Sequence, residues 1–170
     1  MLKIFAAAII IAASSRIGFI LASRLDKRKN SLEGFKDALS MLEGEIGFMN
    51  NPPPQAFRNI ALSSVRISGF FESVCENLRR GQTSVGSAWN EALDKSRAKM
   101  CLKNEDIRAL AEFGTRFGRS DIKNELNNIN NAMIKLNMQL AEAKNECDGS
   151  KKMYRSAGVL CGILAAVLLI

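Results

Sequence analysis

The chain has 170 residues, with 24 Lys+Arg against 17 Asp+Glu for a net charge of +7, and it contains no histidine. That length allows one domain with its own core beside two apolar ends. Without histidine the commonest general base, metal ligand and pH switch are missing together, which argues against hydrolytic and metal chemistry.

The four cysteines, Cys75, Cys101, Cys147 and Cys161, are scattered without a C-x-x-C pair, so buried reduced thiols are expected rather than a zinc site or redox dithiol. No phosphate-binding G-x-x-x-x-G-K-S/T loop occurs, and no nucleophile–base pair stands out. The sequence therefore assigns no catalytic residue, metal or cofactor. A nucleic-acid partner would want a dense basic stripe, whereas here positive and acidic residues are mixed. An anionic bilayer surface, favouring each nearby Lys or Arg by roughly 1 kcal/mol, explains the basicity better.

Residues 2–22 are apolar apart from Lys3 and Arg16, and a helix needs about 20 such residues to cross a hydrocarbon layer. Arg16 lies in the second half of the span, where its stem can carry the charge toward the headgroups or an intramembrane partner can meet it, the first being preferred. A cleaved signal peptide is the rival reading, with Ile4 to Ala13 as its apolar core and Ala12 to Ser15 as the cleavage zone. Apolar character resumes at Ile17, however, and Arg24, Lys27, Arg28 and Lys29 follow as charges that resist translocation. An uncleaved transmembrane helix is preferred.

The central domain is expected over residues 30–150. Leu32, Phe35, Leu39, Leu42, Ile46 and Met49 form one helical stripe, which Asn50, Asn51 and Pro52 to Pro54 end. Short helices follow, carrying Ala56, Phe57, Ile60 and Ala61, then Phe70, Phe71, Val74, Cys75 and Leu78, then Val85, Ala88, Trp89, Ala92 and Leu93 as their apolar sets. Ser84 or Thr83 can cap the third of these, and Trp89 reads as a core anchor. Asn104 looks like the cap of a helix burying Ile107, Leu110, Phe113 and Phe117, with Gly114 and Gly118 placed for close contact or a left-handed turn.

Ser120 then caps a long helix, with Asp121 in its first turn. Its stripe runs Ile122, Leu126, Ile129, Met133, Leu136, Leu140, Ala143 and Cys147, an a/d register able to pair with the Leu32 helix as an antiparallel arm. Asn127, Asn128, Asn130 and Asn131 read as a solvated face. Gly149 threatens continuity into the last apolar segment, since an interior glycine costs about 1 kcal/mol relative to alanine.

Residues 153–170 form the second expected transmembrane helix, flanked by Lys151, Lys152, Tyr154 and Arg155 as an interfacial belt. With Arg24, Lys27, Arg28 and Lys29 at the other end, positive charge flanks the central domain on both sides and points to a cytoplasmic placement. Gly18 and Ala22, and likewise Gly158 and Gly162, are spaced four apart, a pattern that lets two helices approach closely in lipid and that ordinary Gly- and Ala-rich membrane composition also produces. The expected fold is all-α: a membrane-anchored helical domain with long antiparallel first and last helices, short helices at the tip and a transmembrane helix at each end.

Several boxes carry a family resemblance: Ala38-Leu39-x-x-Leu42-Glu43-x-Glu45-Ile46, Pro52-x-Pro54-x-Ala56, Ala88-Trp89-x-x-Ala92-Leu93, Phe113-Gly114-x-x-Phe117-Gly118-x-Ser120-Asp121 and Tyr154-Arg155-Ser156-x-Gly158-Val159-Leu160-x-Gly162. In this order and spacing the chain resembles the stage III sporulation protein AB family over essentially its whole length. It departs at Phe48, where the family often has tyrosine, at Glu125, where glutamine is expected, at the additional Pro53, and at Asp148-Gly149-Ser150. The resemblance implies a non-enzymatic component of the channel, or feeding tube, between mother cell and forespore, seated in the mother-cell membrane. It implies placement similar to the inner-membrane platform protein of type II secretion systems, with the other stage III proteins as partners and a secretion-type ATPase foremost. Polar residues of the matched boxes, Glu43, Glu45, Arg119 and Asp121, are then the candidate partner contacts. The alternative is a secreted helical binding module released from a signal peptide.

Overall fold

A computed structural model describes the backbone of residues 2–64, 66–81 and 84–169, and their side chains apart from 2–8, 10–11, 151–152, 155, 158–159, 162–163 and 165–169. Among the described residues the chain forms six helices and no strand: α1 Leu2–Gly47, α2 Pro53–Ser63, α3 Ser68–Arg79, α4 Val85–Met100, α5 Asn104–Arg116 and α6 Ile122–Leu169. The chain divides into two units. One is Asn30–Ala141; the other combines the chain up to Lys29 with the chain from Glu142 onward.

The unit Asn30–Ala141 is built around Trp89. Its ring lies 4.8 Å from Phe70, 5.1 Å from Phe113 and 5.8 Å from both Phe57 and Phe71, mostly edge to face or tilted, as aromatic quadrupoles prefer. The indole N–H donates to the Leu110 carbonyl at 2.9 Å, so the one polar atom of the ring is satisfied where no water reaches it. Around this cluster Leu32, Phe35, Leu39, Leu42 and Ile46 of α1 are all buried. Each large apolar side chain so buried contributes roughly 1.5–3 kcal/mol relative to an exposed one. Gly114 belongs to the same contact: a Cβ there would sit 2.0 Å from Trp89 Cδ1, so only glycine lets the ring reach α5.

Helix ends follow local chemistry, with some shifts from the sequence expectations. Ser84 Oγ accepts the Ser87 N–H at 3.2 Å and caps α4. At α5 the cap position is Lys103 rather than Asn104, and the Asp106 carboxylate accepts the Lys103 N–H at 2.9 Å. At α6 the cap is Asp121 rather than Ser120: its carboxylate accepts the Asn124 N–H and its carbonyl accepts the Glu125 N–H. The prolines begin α2 instead of ending α1, because α1 stops at Gly47 and Asn50 takes a left-handed φ of 51°. Met49 therefore leaves the stripe and is exposed, and Ile122, in the first turn of α6, is 48% exposed.

In the other unit, α1 and α6 run antiparallel. Asp26 accepts a bond from Cys147 Sγ at 3.1 Å, and Arg28 Nη1 lies 2.8 Å from Glu146 and 3.5 Å from Glu142. The Arg28 side chain is only 3% exposed. It is the sort of buried cation that persists because carboxylates accompany it. Gly18 and Ala22 are buried in this unit. The backbone of α6 continues without interruption through Gly149, so the anticipated break does not form. The cysteines are all free, but only Cys147 is buried: Cys75 and Cys101 are half-buried and Cys161 is exposed.

Among the described residues, no helix is long and apolar enough to cross a membrane. Residues 2–22 and 153–169 have helical backbones, and many of their side chains lie outside the described set.

Candidate interaction surface at the helix turns

Two turns of the Asn30–Ala141 unit flank one cleft of about 220 Å³, lined among others by Ile46, Asn51, Pro53, Gly118, Ile122 and Glu125. The α1–α2 turn is tied down by Glu45. Its Oε2 accepts the side-chain amides of Asn51 at 2.7 Å and Asn59 at 2.8 Å, joining α1, the turn and α2 through one carboxylate. The chain between them is shaped by the left-handed Asn50 and by the Asn51 N–H, which donates to the Glu45 carbonyl at 3.0 Å.

The α5–α6 turn is built around Glu125. Gly118 has φ +81°, a conformation glycine adopts without strain, and the next backbone N–H groups curl inward. Glu125 Oε1 accepts three of them, from Gly118 and Arg119 at 3.0 Å and from Ser120 at 2.9 Å. A carboxylate with three amide donors supplies the charge-assisted bonds that hold an otherwise open turn. Its Oε2 is buried without a partner among the described residues.

The sequence-derived contacts fall on or beside these turns. Arg119 and Asp121 are exposed, whereas Glu43 and Glu45 are half-buried. Of the four, Glu45 is occupied by its two amide bonds and Asp121 by the α6 cap. Among the membrane-interface residues, Arg24 and Lys27 are exposed, Lys29 and Tyr154 are half-buried, and Arg28 is engaged by Glu142 and Glu146. The side chains of Lys151, Lys152 and Arg155, and the packing sites Gly158 and Gly162, lie outside the described residues.

Sequence reading missed Phe48 as a surface residue. It is 90% exposed directly after the last turn of α1, next to Met49 at 65%. Its signal was its position off the Leu32 stripe and just before an Asn-Asn-Pro stop, where an aromatic side chain has no core to enter. A second feature lies along α5 and α6, a groove of about 390 Å³ lined by Arg116, Arg119, Asn124, Asn127, Asn128 and Asn131 together with Thr115 and Ser120. Asn128 is not simply solvated: its amide donates to the Phe113 carbonyl at 3.3 Å.

The family model for stage III sporulation protein AB (spore_III_AB) matches residues 3–170. The chain is similar to the stage III sporulation protein AB of Bacillus subtilis (strain 168), 29% identical over 170 residues that make up 99% of each chain. Among solved structures it is similar to a stage III sporulation protein AB (SpoIIIAB) with a TM-score of 0.65 and 26% identity, covering 71% of this chain and 96% of that one.

Proposed function

The chain belongs to the stage III sporulation protein AB family, and from that premise we propose that it serves as a non-enzymatic, platform-like membrane component of the channel complex between mother cell and forespore. In this reading the two apolar ends anchor it in the mother-cell membrane. The central helical unit faces the cytoplasm and couples a secretion-type ATPase to the channel. The observation that carries the reading is the extent of the family match: it includes both apolar ends as well as the central unit. The basic residues flanking those ends support the cytoplasmic placement by the positive-inside rule.

Phe48, with Glu43 on the preceding turn, is the surface offered to the ATPase. An exposed aromatic followed by the exposed Met49 has the composition of an interface anchor. The test is co-purification of the ATPase with the detergent-solubilised full chain from sporulating cells. Phe48→Ala combined with Glu43→Lys is expected to reduce ATPase recovery at least tenfold while the chain stays folded. Unchanged recovery would overturn the assignment of this surface. The placement has its own check in an impermeant thiol reagent applied to intact cells. Cys75 should label only after lysis, and labelling before lysis would favour a secreted helical module.

A further inference from the structure

The groove between α5 and α6 has a composition that the family reading does not use. Asn124, Asn127, Asn128 and Asn131 stand at positions i, i+3, i+4 and i+7 of α6, so one helix face presents four amides. Three of them, Asn124, Asn127 and Asn131, are exposed. Each offers a donor and an acceptor together, the pair of functions a peptide backbone also presents. Asn127 and Asn131 are four residues apart, about 6 Å along the helix axis. That is close to the ~6.8 Å repeat of two residues in an extended chain.

Charge adds a preference. Arg116 and Arg119 line the groove and no carboxylate does. The acids beside it are engaged: Glu112 is paired with both Arg116, at 3.2 Å, and Lys135, Glu125 holds the N–H groups of the α5–α6 turn, and Asp121 caps α6. Arg119 is exposed, and its guanidinium makes no ion pair among the described residues. No aromatic residue lines the groove, so it lacks the stacking platform that single-stranded nucleic acids use.

We propose that this groove is a docking site for an extended acidic segment of a partner protein, with the asparagine amides pairing to its backbone and Arg119, assisted by Arg116, pairing to its carboxylates. From Asn124 to Asn131 the helix advances about 10.5 Å, room for three or four extended residues. The proposal rests on the groove alone, not on the identity of the protein coupled by the Phe48 surface. The two therefore fail separately: peptide binding can survive loss of ATPase recovery, and the reverse.

The experiment uses the full chain in a non-ionic detergent and a fluorescein-labelled Glu-rich peptide, followed by fluorescence anisotropy. The Gln-for-Glu version of the peptide, oligodeoxythymidine and anionic phospholipid vesicles serve as comparators. Arg119→Glu is expected to weaken peptide binding at least tenfold. Asn127→Asp with Asn131→Asp should do the same while Trp89 emission remains native. Arg58→Glu, an exposed reversal on α2 with the same change in net charge, should leave binding within twofold. Equal loss with Arg58→Glu, no measurable peptide binding, or tighter binding to the oligonucleotide or the vesicles would each overturn the proposal. Equal binding of the Gln peptide would remove the role given to the arginines and overturn it as well.

Discussion

Replacing glycine by alanine inside a helix normally stabilises it by up to about 1 kcal/mol, because the glycine backbone loses more freedom on folding. Gly44 of α1 and Gly114 of α5 both sit in helices, yet opposite outcomes are expected. At Gly44 a Cβ meets nothing within 4 Å, so Gly44→Ala should stabilise by up to about 1 kcal/mol. At Gly114 the new Cβ would lie 2.0 Å from Trp89 Cδ1, 2.5 Å from Cγ and 2.7 Å from Nε1. An ordinary contact distance requires the indole to retreat by well over an ångström. It is backed by Phe35, Phe57, Phe70 and Phe71, which are all fully buried. Moving it also lengthens the 2.9 Å bond to the Leu110 carbonyl. Overpacking costs about 1–3 kcal/mol, and an unsatisfied buried donor about 1–3 more. Less the propensity gain of about 1 kcal/mol, Gly114→Ala should destabilise by about 1–5 kcal/mol. At ~4 °C per kcal/mol for a unit of this size, Tm falls by about 4–20 °C. Thermal unfolding of the detergent-solubilised chain, read by circular dichroism and by the emission of the sole tryptophan, checks this. Equal Tm values for the two variants would refute the packing argument, and an unchanged Trp89 emission in Gly114→Ala would refute the displacement of the ring.

Two further predictions concern single side chains. Glu125→Gln keeps an acceptor for the three turn amides and should stay within about 1 kcal/mol of the parent, whereas Glu125→Ala should lose about 2–3 kcal/mol in chemical denaturation; equal losses would show that the carboxylate does not organise the turn. Burial raises the Cys75 pKa, with Glu72 adding to the rise and Arg58 opposing it. In a chain whose other cysteines are replaced, the pH midpoint of Cys75 alkylation should lie above that of the unfolded protein, and Arg58→Ala should move it higher. The linked stability is then complete below the unfolded thiol's pKa and is lost as pH rises through the native one. A midpoint that does not change on unfolding would contradict the assigned cause.

Much of the helical layout was legible because helix formation and burial are periodic. The Leu32 stripe, the apolar faces of α2 to α5 and the Trp89 anchor all follow from steps of three and four residues. The errors cluster at helix ends, where a single backbone angle decides the outcome. Met49 fits the period but falls past Gly47, and Asn104 and Ser120 resemble caps but sit one residue from the positions that Lys103 and Asp121 occupy. Glu125 was noticed only as a departure from the family pattern. Its role depends on a turn folded back by Gly118, which spacing along one helix does not encode.

By itself the sequence determined the helical class, the apolar ends and their basic flanks, and the boxes that carry the family. These are properties of neighbouring residues and of order along the chain. Only the tertiary structure decided that Arg28 is buried against Glu146, 118 positions away, that Gly114 is reserved for the Trp89 ring, and that Arg119 shares a groove with a ladder of asparagines. The physical reason is common to all three. Desolvation, ring contact and charge pairing depend on which surfaces meet, and helical periodicity states only which face a residue occupies.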